Sequence, residues 1–264
     1  MSHAWLQDVL AVCSGGAVGF TLGLIGGGGS ILAVPLLLYV VGIDDVHVAI
    51  GTSALAVAAN AFSSLIGHWR AGSVKWPCAA TFALAGVIGA TFGSSLGKLV
   101  NGQVLLFLFA LAMVAVGFAM LRPRAAAGDP NVRITPAIAV RLVVVGFTVG
   151  AISGFFGIGG GFLIVPGLML GSGMPILNAI GSSLFSVGTF GLTTAVNYAL
   201  GGLIEWTIAL LFIAGGIGGG FLGTRMAVRL ANRQRLLSIV FAAVIFAVAA
   251  YMLLRTGLAF WPLI

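Results

Sequence analysis

Apolar segments succeed one another along almost the whole chain, with only short polar breaks between them. Five precede the polar stretch RPRAAAGDPNVRITP (Arg122 to Pro136): Val9 to Ile25, Ile31 to Ile43, Val46 to Gly67, Pro77 to Leu96 and Val104 to Leu121. Five follow it: Ile138 to Phe156, Phe162 to Leu170, Pro175 to Leu200, Thr207 to Leu222 and Leu236 to Leu254. A bilayer-crossing helix needs about 20 residues, and the second segment of each half falls short. Only 6% of the 264 residues are charged, against roughly 25% in soluble domains. No soluble fold could cover itself so sparsely. With the backbone obliged to satisfy itself in hydrocarbon, the expectation is an all-α polytopic membrane protein. Its partner is the lipid bilayer of the cell inner (plasma) membrane.

Several function classes drop out. The net charge of +7 comes from residues at the ends of apolar segments, where they orient the chain, so no nucleic-acid partner is expected. Cys13 and Cys78 lie in unrelated segments without CxxC spacing and read as small buried hydrophobes. No metal site, cofactor or catalytic residue is expected. GSSLGKL (Gly93 to Leu99) lacks the spacing of a phosphate loop, and HExxH and GxSxG are absent. An intramembrane hydrolase would need a nucleophile and base, or metal ligands, at membrane depth. The chain therefore does not read as an enzyme. The N-terminus, MSHAWLQDVLAVCSGG, lacks Lys or Arg before its apolar run and reads as the start of the first segment rather than a signal peptide.

The two halves are related. IGGGGSILAVP (Ile25 to Pro35) aligns without gaps on FGIGGGFLIVP (Phe156 to Pro166), extending back to Gly15 on Gly146 and Gly19 on Gly150. AIGTSALAVAANAFSSLIGHWRAGSVKW (Ala49 to Trp76) aligns on AIGSSLFSVGTFGLTTAVNYALGGLIEW (Ala179 to Trp206), and Gly86, Gly89 and Gly93 align on Gly216, Gly219 and Gly223. A register kept across three segments marks an internal repeat. Residues 1–121 form the first repeat, 122–136 a cytoplasmic linker and 137–264 the second repeat. Together they make one transmembrane domain.

Positive charge marks the cytoplasmic ends of short loops. Arg70 and Lys75 follow the third segment, whereas the equivalent loop of the second half carries Glu205 and no Lys or Arg. Lys98 stands alone between the fourth and fifth segments, while the equivalent loop holds Arg225, Arg229, Arg233 and Arg235. These counts place the halves in opposite senses, both termini outside, with the first two segments of each half forming a hairpin turned at its glycine run. The architecture expected is two inverted-topology repeats of about five segments, with glycine-tipped hairpins meeting near the midplane, as in many secondary transporters.

A glycine turn in such a place can serve close packing or anion binding through bare N–H groups at a helix start. The tip candidates are Gly26, Gly27, Gly28, Gly29 and Ser30, and Gly157, Gly159, Gly160 and Gly161. The equivalent pairs Thr52–Ser53 and Ser182–Ser183 add hydroxyls, which could equally bond back to the preceding turn. Asn60 and Asn197 are further candidates, with a helix–helix hydrogen bond the favoured role for each. His68 reads as an interfacial histidine beside Trp69 and Arg70, with proton coupling as the alternative. Asp44 and Asp45 read as a solvated loop. A homo-oligomer is left open by the glycine-rich faces.

GLIGGGGSILAVPLLL and GFFGIGGGFLIVPGLML, each followed by Ala-Ile-Gly-[Thr/Ser]-Ser, resemble the TauE/SafE family, the sulfite exporters. The resemblance covers nearly the whole chain. It implies secondary transport, by alternating access, of a sulfur-containing anion such as sulfite, sulfoacetate or another organosulfonate, in the export direction. Import of sulfide, thiosulfate or another small anion is the alternative. An intramembrane enzyme or a non-transporting subunit is the alternative of another class. The first tip departs from the family pattern, with Gly27 where the second tip has Ile158.

Overall fold

The computed structural model describes residues 2–121, 128–129, 132–157, 161–229 and 234–260. All regular structure among them is helical. Helix α1 (Ser2–Ile25) is followed by a 3-10 segment (Gly26–Leu32), a single α-turn α2 (Ala33–Leu36) and a π turn (Leu37–Val41). Then come α3 (Val46–Arg70), α4 (Trp76–Leu99) and α5 (Gly102–Leu121). The second half holds α6 (Pro136–Phe156), α7 (Gly161–Ser172), α8 (Ile176–Ala199), α9 (Trp206–Arg229) and α10 (Gln234–Phe260). Six stretches are long and apolar enough to cross a membrane: Trp5–Val41, Val46–Arg70, Trp76–Leu99, Pro136–Phe156, Ile176–Ala199 and Trp206–Ala227. Large apolar side chains such as Leu84, Phe92, Leu170 and Leu210 point outward, as a hydrocarbon solvent allows.

Local chemistry sets the helix ends. Asp45 is not simply a solvated loop residue. Its Oδ1 accepts from the amides of His47 (2.7 Å) and Val48 (3.0 Å), capping α3. Pro77 and Pro136 sit in the first turns of α4 and α6, where a missing N–H costs nothing. The chain reverses at Gly26, whose φ of +74° only glycine adopts readily. Gly157, its repeat equivalent, does the same at +69°. The other left-handed glycines among the described residues also fall in equivalent pairs, Gly42 with Gly173 and Gly72 with Gly202.

One expectation about the first hairpin needs correcting. Helical winding after the reversal starts at the glycines themselves, not at Ile31. It changes from 3-10 to α to π before Gly42. Pro35 lies in this leg. Lacking an N–H, it cannot complete a regular α ladder.

The halves interlock. Helix α1 packs on α9 and α4 on α6, while α3 packs on α9 and α4 on α8. The two remaining major contacts join equivalents, α3 with α8 and α5 with α10. Register gives the directions. Gly15, Gly19 and Gly23 of α1 face Phe212, Gly216 and Gly220 of α9 in ascending order, so the pair is parallel. Gly86, Gly89, Gly93 and Gly97 of α4 ascend likewise along Gly146, Phe147, Ala151 and Phe155 of α6. Gly51 of α3 faces Tyr198 of α8, and Gly181 of α8 faces Ser73 just beyond α3, so those central helices run antiparallel.

Candidate functional site

The first tip is built against the opposite half. A Cβ on Gly26 would lie 2.9 Å from Cγ2 of Ile180 and 3.2 Å from Oγ of Ser183, both on α8. The Gly27 amide donates to Ser183 Oγ at 3.3 Å. Ser183 in turn donates to the Ile180 carbonyl at 2.7 Å. Ser30 Oγ donates to the Gly27 carbonyl at 2.9 Å. Gly28 and Gly29 are buried with them, Gly29 against the last turn of α1.

The second tip mirrors this as far as the described residues reach. A Cβ on Gly157 would overlap Cγ2 of Ile50 on α3, and Ser53 Oγ donates to the Ile50 carbonyl at 2.9 Å. Gly159 and Gly160 lie outside the described residues. Gly161 opens α7. The expectation of tips that meet each other near the midplane is not what these contacts show. Gly26 sits against the start of α8 and Gly157 against the start of α3. Those two helices are antiparallel, so the seats lie toward opposite ends of the pair. The first tip's 3-10 segment packs against α7.

Thr52 and Ser182 have a different job from their neighbours. Thr52 Oγ1 accepts the Glu205 amide at 2.9 Å, and Ser182 Oγ accepts the Lys75 amide at 2.8 Å. Each therefore satisfies an orphan N–H just before a helix of the other half. Asn178 adds a bond from Nδ2 to the Ser73 carbonyl at 3.0 Å.

Asn197 is in the helix–helix role the sequence favours. Its Nδ2 donates to Ser94 Oγ (2.7 Å) and Ser95 Oγ (3.0 Å), and its Oδ1 accepts from Lys98 Nζ at 2.6 Å. His68 differs from its interfacial reading. It is only 5% exposed, with Nδ1 3.3 Å from Ser73 Oγ and Nε2 3.4 Å from the Gly23 carbonyl.

Asn60 stands apart. It lies near the middle of α3, fully buried, with no hydrogen-bond partner for either amide atom. It faces Gly216 of α9, where a Cβ would overlap the amide. Ser64, one turn further on, is also buried and unpartnered, and faces Gly220. An unsatisfied buried polar group costs about 1–3 kcal/mol. The Asn60 amide offers two donors to an oxyanion. The second half keeps the hydroxyl, as Thr194, also buried and unpartnered, but not the amide: Phe190 takes the place of Asn60 and stacks on Phe82 with centroids 6.1 Å apart. Among the described residues no group of His, Cys, Asp and Glu could hold a metal ion.

Of the residues named from sequence, the structure brings the first tip together with Ser183, and seats Gly157 on Ile50, whose carbonyl Ser53 bonds. It leaves Asn60 and Asn197 at separate places. Sequence reasoning missed Lys98, read only as a topology charge, and Ser64. The signal for Lys98 was its spacing of three and four residues from Ser95 and Ser94, which shares a helix face.

The glycine tips, their seats on the Ala-Ile-Gly-[Thr/Ser]-Ser segments and the interlocked halves span the chain from α1 to α10. The family described as sulfite exporter TauE/SafE matches residues 11–252. The chain belongs to this TauE/SafE family. Relatives are described more generally, as probable membrane transporter proteins. A probable membrane transporter protein of Xylella fastidiosa (strain 9a5c) is 54% identical, over 94% of this chain and 95% of its own. YunE of Bacillus subtilis, also a probable membrane transporter protein, is 28% identical over 83% of this chain and 88% of its own. No solved structure matches. A family of membrane transporters and six membrane-crossing stretches make this a multi-pass membrane transporter protein.

Proposed function

We propose that the protein is a secondary transporter of a small sulfur-containing anion, sulfite or an organosulfonate such as sulfoacetate, working in the export direction. The observation that carries this reading is Asn60: a fully buried, unpartnered amide near the middle of a spanning helix. An intramembrane polar group left without a partner marks a ligand path rather than a structural bond. Its amide hydrogens suit a sulfonyl oxygen, and no fixed cation is needed. Weak, releasable binding follows. The family description supports the sulfur chemistry.

Alternating access fits the helix directions. With α1 parallel to α9, α4 parallel to α6, and α3 antiparallel to α8, the helices α1, α3 and α4 oppose their equivalents α6, α8 and α9. That relation supports inverted repeats, and the charge counts favour both termini outside in the inner membrane. The tips then act as swivels: the hydrogen-bonding groups of Ser30, Ser53 and Ser183 engage tip or adjacent backbone. The anion contact moves from the tips to the α3–α9 seam.

Counterflow of labelled sulfite and sulfoacetate into liposomes holding the purified protein tests this. Uptake that is saturable and lost in Asn60→Leu is expected. Equal flux in protein-free vesicles, or full activity of the variant, overturns it.

A further inference from the structure

We propose that the crevice between α3 and α9 is a binding site for one anionic phospholipid. The crevice holds about 560 Å³, and Arg70 and Arg225 line it. Among the described residues no acidic one lines it, so two guanidinium groups face one opening without a counter-charge there. Arg225 stacks over the Phe221 ring at 4.1 Å, which holds it along the wall. Deeper in the crevice are the hydroxyls of Ser63, Ser64 and Thr224. Ser64 is 4% exposed and its Oγ has no partner. The outer walls are Ile66, Ile217 and Phe221, each about half exposed on the surface of spanning helices.

This order matches a phospholipid. Arg70 lies six residues beyond Ser64 on α3, roughly 9 Å along the axis. A phosphate at the arginines puts the glycerol esters between Ile66 and the hydroxyls and an acyl chain along Ile217, which lies beyond Ser64 from the arginines. A small free anion would use the arginines but not the apolar wall.

The repeat supplies an internal control. The equivalent crevice between α4 and α8 holds about 430 Å³ and is lined by Asn197 and Leu200. Leu200 stands where Arg70 does, Ser95 where Arg225 does, and the Asn197 amide is already bonded to Ser94, Ser95 and Lys98. Two related grooves of similar size therefore differ in charge and in free donors. Only one suits an anionic headgroup, at the end of the bundle that carries Arg70.

Native mass spectrometry of the full chain with equal phosphatidylglycerol and phosphatidylcholine tests the assignment, which does not depend on what the protein transports. The wild type retains phosphatidylglycerol in preference, by about fivefold per arginine. Arg70→Gln with Arg225→Gln removes the preference. Gly218→Leu, placed where a Cβ meets no atom within 4 Å, fills the crevice without disturbing the helices and lowers retention of both lipids. Lys98→Gln leaves retention as in the wild type. An unchanged lipid ratio in the double arginine variant overturns the site, as does unchanged retention in Gly218→Leu. Displacement of the lipid by millimolar sulfite would make the crevice an anion port and equally overturn it.

Discussion

Nζ of Lys98 lies 2.6 Å from Oδ1 of Asn197 and 3.1 Å from its carbonyl oxygen, joining α4 of one half to α8 of the other. The amide's other end is held by Ser94 and Ser95. A hydrogen bond to a charged group is worth about 1.5–3 kcal/mol when shielded. This one is only half-buried, so solvent screening lowers it to about 1 kcal/mol. Lys98→Met should lower the melting temperature in detergent by roughly 2–4 °C, and Asn197→Ala by a similar amount. Because the residues share one bond, the double variant should lose less than the sum. Strict additivity would show that the pair is not coupled.

Thr52 and Ser182 do the same work at equivalent places, each accepting an amide that precedes a helix of the other half. Thr52→Val and Ser182→Ala should each cost about 1 kcal/mol, as lost helix caps do. Hydrogen exchange should speed up at Glu205 in the first variant and at Lys75 in the second. Exchange that stays at the wild-type rate would show the bonds to be inconsequential.

Close approach of α1 and α9 makes a sharper contrast. A Cβ on Gly19 would sit 2.6 Å from the Cα of Gly216, whereas a Cβ on Gly218 meets nothing within 4 Å. Gly19→Ala must force two backbones apart and should cost about 2–4 kcal/mol. Gly218→Ala should be neutral or stabilising by about 0.5–1 kcal/mol through helix propensity. Thermal denaturation of the two variants side by side decides it. Equal stability would mean the helices are not in contact along this seam.

Asn60→Leu separates stability from transport. Removing an unpartnered buried amide in favour of an apolar group of similar size should leave stability unchanged or raise it. Anion counterflow should nevertheless fall by about tenfold or more, the equivalent of one lost hydrogen bond to an oxyanion. A variant that is destabilised yet transports normally would mark Asn60 as structural.

Class and repeat were legible in residue order. Sparse charge dictates a bilayer, because a soluble surface cannot be built from it. The internal repeat follows from matched glycines, and the structure returns it as equivalent left-handed pairs such as Gly26 with Gly157. Tips, hydroxyl pairs and amides could be identified as polar points in an apolar chain. Their partners could not, because Ser183 is 156 residues from Gly27 and Thr52 is 153 from Glu205. Those pairings depend on how antiparallel α3 and α8 cross.

What the sequence alone determined is therefore the solvent, the helical class and the repetition, all set by composition and period. Tertiary structure decided which polar groups are spent and which are free. Thr52 and Ser182 look like Ser53 and Ser183 in sequence, yet they cap the other half's helices. Asn60 and Asn197 look alike, yet one is bonded to Lys98, Ser94 and Ser95 and the other to nothing. The physical reason is that a hydrogen-bond donor's state depends on what lies within about 3 Å in space, and in a bundle of interlocked halves that neighbour comes from the far side of the chain.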